Sequence, residues 1–169
     1  MYRTASVDVE LQARPARPFS STLTVRSGCG DIATMTVDAR REAGGLSFAY
    51  DRYAVHREAP GAGGFVLEGP EGIFAMACKP TVRPWFEVAF GGRRLLVEPS
   101  SMLRRAYVVT EGVKDRGAVR RRMPPFGRGI EAELTADVPV AVQVFLAWLV
   151  LVAVRSPTAT WACREPVRG

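Results

Sequence analysis

The sequence predicts a mainly β fold in one domain: a single twelve-stranded antiparallel barrel built from hairpins and enclosing a hydrophobic C-terminal α-helix. Three observations lead there. Leu23, Gly44, Phe65, Phe86, Tyr107 and Arg128 stand 21 residues apart, and the segments around them read as apolar strand, glycine-bearing turn, apolar strand. Several of those segments alternate apolar and polar residues with the two-residue period of a strand that has one dry and one wet face. Finally, VPVAVQVFLAWLVLVAV, Val138 to Val154, is apolar all round a helix, so something must surround it.

In chain order the strands are expected at about 5–12, 20–27, 31–38, 45–50, 52–58, 64–68, 72–79, 84–90, 93–98, 105–110, 116–122 and 128–135. Val7, Val9 and Leu11 alternate with Asp8 and Glu10, and Ile130, Ala132 and Leu134 with Glu131 and Glu133. Leu46, Phe48 and Tyr50 share one side of their strand, and Phe86, Val88 and Phe90 oppose Trp85 and Glu87. Gly91-Gly92 suits a two-residue hairpin turn, because glycine takes positive φ without a Cβ clash; Gly69-Pro70-Glu71-Gly72 suits a longer loop. A 21-residue period also belongs to some leucine-rich solenoids, but the Leu-x-x-Leu-x-Leu signature and a helical half-repeat are absent.

The helix is expected over about 138–155. Asp137 offers an N-cap, Pro139 sits in the first turn, and Arg155 followed by Ser156-Pro157 ends it, so barrel and helix occupy 1–155 and 156–169 form a tail. At about 1.5 Å per residue such a helix spans ~25 Å, somewhat short of the roughly 30 Å hydrocarbon core of a bilayer. Eight strands fill their own lumen and sixteen leave a channel, so a closed barrel of twelve needs a plug. The alternative is a tail-anchored protein that crosses a membrane once through 138–154 and carries a cytosolic β interaction domain. Arg155, Arg164 and Arg168 beyond the segment weigh against that orientation. Gln143, the one polar residue inside the segment, is expected to find a hydrogen-bond partner on the barrel wall.

The formal net charge of +6 comes almost wholly from arginine, lysine occurring only at Lys79 and Lys114. From Arg104 to Arg128 there are eight basic residues against Glu111 and Asp115, a surplus equal to the charge of the whole chain. Cys29, Cys78 and Cys163 are few, odd in number and lack metal-ligand spacing, which argues against a disulfide framework or zinc site and for a reducing compartment. MYRTASVDVELQARP has charges where a secretory signal needs an apolar run, so the expected location is cytoplasmic, either free or membrane-associated.

The repeated strand-turn-strand units, especially FVLEGPEGIFAMACKP at 65–80 and RRAYVVTEGVKDRGAVRRR at 104–122, followed by VQVFLAWLVLVAVR at 142–155, resemble the tubby C-terminal-like superfamily. That superfamily includes the LURP-one-related proteins and the phospholipid scramblases. The resemblance covers roughly Val7 to Arg155 and implies a twelve-stranded antiparallel barrel around a hydrophobic C-terminal helix. It also implies lipid chemistry, since tubby proteins bind phosphoinositide head groups through basic side chains and scramblases are associated with moving lipids between leaflets. A scramblase-like calcium motif and a cysteine-rich palmitoylation cluster are absent from this sequence.

The chemistry-bearing residues are sparse. His56, the only histidine, lies opposite Tyr53, Val55 and Arg57 on its strand and has no matched Cys or Ser motif with which to form a triad. The glycines of GAGGFVLEGPEG lack the strand-to-helix context of a phosphate loop and are read as turns. Cys78 is read as a small apolar wall residue and Cys29, between glycines, as an exposed one. No catalytic residue, metal ligand or cofactor is assigned. The candidate site is basic: Arg104, Arg105, Arg120, Arg121 and Arg122, whose guanidinium forks match phosphate, binding an anionic membrane lipid or an acidic protein surface. Nucleic acid is disfavoured, because only Tyr107 and Phe126 lie among these charges as stacking platforms. The expected function is a non-enzymatic, intracellular binding module.

Overall fold

The computed structural model describes residues 8–15, 21–28, 30–38, 40–59, 63–100, 106–122, 129–155 and 160–162. The strands are β1 (Asp8–Pro15), β2 (Thr22–Ser27), β3 (Gly30–Asp38), β4 (Ala43–Phe48), β5 (Arg52–Arg57), β6 (Phe65–Gly69), β7 (Gly72–Cys78), β8 (Phe86–Phe90), β9 (Arg93–Pro99), β10 (Ala106–Glu111), β11 (Lys114–Arg122) and β12 (Gly129–Thr135), followed by α1 (Val140–Arg155). Each strand pairs antiparallel with its sequence neighbour, and β1 pairs with β12 to close the barrel. Closure leaves no free sheet edge among the twelve strands.

The 21-residue spacing has a structural counterpart in the short turns. Gly28, Ala49, Pro70, Gly91 and Gly112 each open the connection inside one hairpin, so five consecutive hairpins place their turns at the same end of the barrel. Gly91 and Gly92 have φ of 50° and 74°, as a two-residue turn with positive φ at both centres requires. Gly69 pairs directly with Gly72, so Pro70 and Glu71 form a two-residue turn where the sequence suggested a longer loop; a register shift at Leu67/Glu68 supplies the extra residue. Equivalent shifts occur at Val25/Arg26 and Val109/Thr110, in alternate hairpins of the series. Tyr50, expected to continue the face of Leu46 and Phe48, instead sits in the turn after β4 and is fully exposed.

At the other end of the same strands, the 21-residue markers form a layer of the lumen. Leu23, Phe65, Phe86 and Tyr107 are buried there, and Gly44 faces the helix: a Cβ on it would lie 2.4 Å from Trp148 Nε1 and 2.2 Å from the Thr36 carbonyl oxygen. Only glycine leaves room for the Trp148 indole N–H to donate to that carbonyl, at 3.0 Å. Arg128, the sixth marker, lies outside the described residues.

The helix fills the lumen. Residues 141–150 are buried without interruption, so lining residues of the strands surround α1 on all sides. Residues 141–150 are thus enclosed by protein, and no helix among the described residues is long and apolar enough to cross a membrane. Pro139 rather than Asp137 occupies the capping position, its carbonyl accepting the Val142 and Gln143 amides at 2.9 and 3.0 Å. Asp137 is drawn away by Arg93 and Arg116. Gln143 also corrects an expectation, since its Nε2 donates to the Val138 carbonyl at 2.8 Å, two residues before the helix begins, and its Oε1 has no partner among the described residues. The helix meets the wall through Trp148, not through the amide.

Candidate functional site

The arginines of β11 follow from strand geometry. Val119 is buried, so by alternation Arg120 and Arg122 point outward while Arg121 lies on the lumen side, opposite buried Ile130 at the end of the strand. On the outer wall β12 offers two glutamates. Arg120 approaches Glu133 at 3.7 Å with both side chains more than half exposed, and Arg122 pairs with Glu131. Arg121 has no carboxylate partner among the described residues. Arg104 and Arg105, the other two candidate residues, lie outside the described residues.

The length of β11 divides the charge surplus that is contiguous in sequence. Lys114 and Arg116 begin β11 at the tight-turn end, while Arg120 to Arg122 finish it at the end where 101–105 joins β9 to β10 and 123–128 joins β11 to β12. Arg40, Arg41 and Arg83 are exposed at that same long-loop end.

The tight-turn end carries an ionic network that sequence reading missed. Arg93 donates to both carboxylate oxygens of Glu111, at 2.9 and 2.8 Å, and to the Asp137 carboxylate and carbonyl, each at 2.8 Å. Arg116 meets the same two acids. The Arg93 and Arg116 side chains hydrogen-bonded to Glu111 hold its carboxyl down to about 2. The same Glu111 contacts, outweighing partial burial, raise Arg93 above its already high value. The partners are 18 and 44 residues from Arg93, which is why no local pattern signalled the network.

At the opposite end, Arg57 is nearly buried against Glu42, donates to the Gly63 carbonyl at 2.9 Å and lies 4.7 Å from the Phe65 ring centre. The hydrogen bond from Arg57 holds the Glu42 carboxyl below its usual range. His56 lies on the outer wall with Nε2 2.9 Å from Glu68; the Arg57 carbonyl, then the Glu68 carboxylate, raise its pKa. Among the described residues no three His, Cys, Asp or Glu side chains gather as a metal site. A small gap between β1, β12 and α1 is lined by Leu11, Ala13, Ile130, Ala132 and Ala147, with no polar group to orient a ligand.

The cysteine reading needs correction. Cys78 is disulfide-bonded, with a partner outside the described residues, so it is not an inert wall residue and the cysteines give no support to a reducing compartment. Beside it, residues beyond the helix return to the barrel. Lys79 and Trp161 exchange backbone hydrogen bonds of 3.0 and 2.8 Å, and Gly63 bridges Ala162 in parallel. No family model, curated protein or solved structure matches this chain.

Proposed function

We propose that this barrel is a non-enzymatic binding module whose long-loop end takes an anionic partner, a phospholipid head group in an acidic membrane being the ligand its arginine chemistry suits best. The observation that carries the reading is the division of charge along the barrel. Exposed Arg40, Arg41, Arg83 and Arg120, with half-buried Arg121 and Arg122, outnumber exposed Asp38 and Glu98 at one end, whereas at the other Asp31, Asp51, Glu71 and Asp115 offset Arg26, Arg52 and Lys114. Each basic residue near an acidic membrane surface contributes about 1 kcal/mol, so four or five together suffice for salt-sensitive docking. The cross-strand pairs do not block this. Ion pairs between exposed side chains are worth about 0–1 kcal/mol, which a phosphate engaging the same guanidinium offsets. The resemblance to tubby-like proteins points to the same ligand class.

Liposome flotation tests the reading. Recovery is expected with vesicles containing acidic phospholipid, to fall with salt, and to drop for the R104E/R105E and R120E/R121E/R122E variants. Among single changes, Arg120→Glu is expected to weaken recovery most, because Arg120 is the most exposed of the three and its contact with Glu133, at 3.7 Å, is looser than that of Arg122 with Glu131. Equal recovery with neutral and acidic vesicles would remove the basis of the proposal.

A further inference from the structure

Beyond α1, Trp161 and Ala162 return to the barrel wall. Trp161 is buried at the long-loop mouth, its ring 4.9 Å from Phe65 and 5.5 Å from Phe86, and Phe65 in turn stacks edge-on against Trp148 at 5.2 Å. Thr160–Ala162 therefore forms a strap across the top of the lumen, hydrogen-bonded to Lys79 on one side and bridged to Gly63 on the other. The close fit extends to Gly64, where a Cβ would lie 2.4 Å from the Ala77 carbonyl oxygen and 3.1 Å from that of Ala162.

Cys78 immediately precedes Lys79, and its disulfide has two candidate partners in the sequence, Cys29 and Cys163. Gly28 and Gly30, the sequence neighbours of Cys29, stand at the tight-turn end between β2 and β3, whereas Cys78 is the last residue of β7 at the long-loop end. Six residues of strand separate Gly72, at the tight-turn end, from Cys78. At about 3.3 Å each they span ~20 Å, against the roughly 4.4–6.8 Å between Cα atoms that a disulfide spans. Cys163 follows Ala162 directly, two residues beyond Trp161, which pairs with Lys79.

We propose that Cys78 and Cys163 form a latch that holds this strap in the barrel mouth, and that its reduction frees the strap and uncovers an aromatic-lined slot between Phe65 and Phe86. The chemistry is thiol–disulfide exchange with a dithiol: one thiolate attacks a sulfur of the latch to give a mixed disulfide, and the second thiol displaces the protein sulfur. The two cysteines leave as thiols and the dithiol as a cyclic disulfide, so two electrons and two protons pass from reductant to protein. The vacated slot presents two strand edges, at Gly63-Gly64 and Lys79, and suits an extended segment bearing one large apolar side chain. The proposal does not depend on the anionic-ligand reading.

Peptide mapping of the full chain without reductant, after blocking free thiols, tests the pairing. Trypsin spares the Lys79–Pro80 and Arg83–Pro84 bonds, so peptides 58–93 and 156–164 are expected linked, with Cys29 alkylated. Alkylated Cys78, or a Cys78–Cys29 link, overturns it. Release is read by acrylamide quenching of tryptophan emission, with the W161F variant identifying the Trp161 contribution. Adding dithiothreitol is expected to raise Trp161 quenching several-fold and to create binding of an apolar dye, while far-ultraviolet circular dichroism stays unchanged. Cys163→Ser is expected to behave like reduced protein without any reductant. Unchanged Trp161 quenching on reduction, or its appearance only together with loss of the β spectrum, rejects the latch.

Discussion

The two ends of this barrel are built on different principles. At one end five short turns recur every 21 residues, and the Arg93–Glu111–Arg116–Asp137 network ties β9, β10 and β11 to the residues leading into the helix. The turn tips themselves are open to solvent, Tyr50 and Val113 being fully exposed. At the other end the connections are longer, arginine predominates on the surface, and closure depends on Trp161 lying over Phe65 and Phe86. The comparison separates two jobs. Repetition fixes register and therefore the lumen, whereas the less regular end is the place where chemistry differs from strand to strand.

That contrast can be broken from several directions. The largest effect is expected from Trp148→Ala, which removes a buried indole from the layer holding Gly44 and Phe65; chemical denaturation should show a loss of about 3–5 kcal/mol. Next comes Gly117→Ala. Gly117 has φ of 119° and its Cβ would lie 2.0 Å from the Glu133 carbonyl oxygen, so a loss of about 1–3 kcal/mol from backbone strain is expected, measured the same way.

Glu111→Gln sharpens the comparison by isolating the ionic end. Because the folded-state pKa is lowered to about 2, the carboxylate's stabilising contribution is present above its unfolded pKa and is lost as pH falls through the folded one. Wild type should therefore melt higher than the variant near neutrality, and the gap should close between about pH 4.5 and 2. His56 should give the smallest effect. Its raised pKa means that the contact with Glu68 stabilises below the ordinary histidine value and is lost as pH rises through the folded value. An NMR titration should find His56 above about 6.5, moving back toward that value in the E68Q variant; a lower wild-type value would mean that the contact is not made.

Much of the barrel was legible because its information is local. Turn glycines, alternating strands and an all-apolar helix each declare themselves within about twenty residues, and Ile130, Ala132 and Leu134 are buried as their alternation required. What stayed hidden is pairing across distance. Glu42 reaches Arg57, Asp137 reaches Arg93, and Trp161 reaches Phe65 only once the sheet has closed. Asp137 shows the cost of local reasoning: its capping propensity is real, but two arginines from other hairpins offer it stronger partners. The basic run is not one surface for the same reason, since β11 carries Lys114 and Arg116 at the tight-turn end and Arg120 to Arg122 at the long-loop end.

The pairing of β1 with β12 has a consequence for how the chain is made. Asp8 registers with Thr135, so the first strand waits for most of the chain before it gains its second neighbour. Synthesis at about 5–20 residues per second leaves β1 and the growing meander with an open seam for several seconds. Over that interval the lumen lacks its plug, and the unpaired edges of β1 and the newest strand are competent to join with those of another nascent chain. A contact pattern dominated by such distant closure folds slowly. The same seam that makes the finished barrel edgeless makes its assembly dependent on a helix that arrives last.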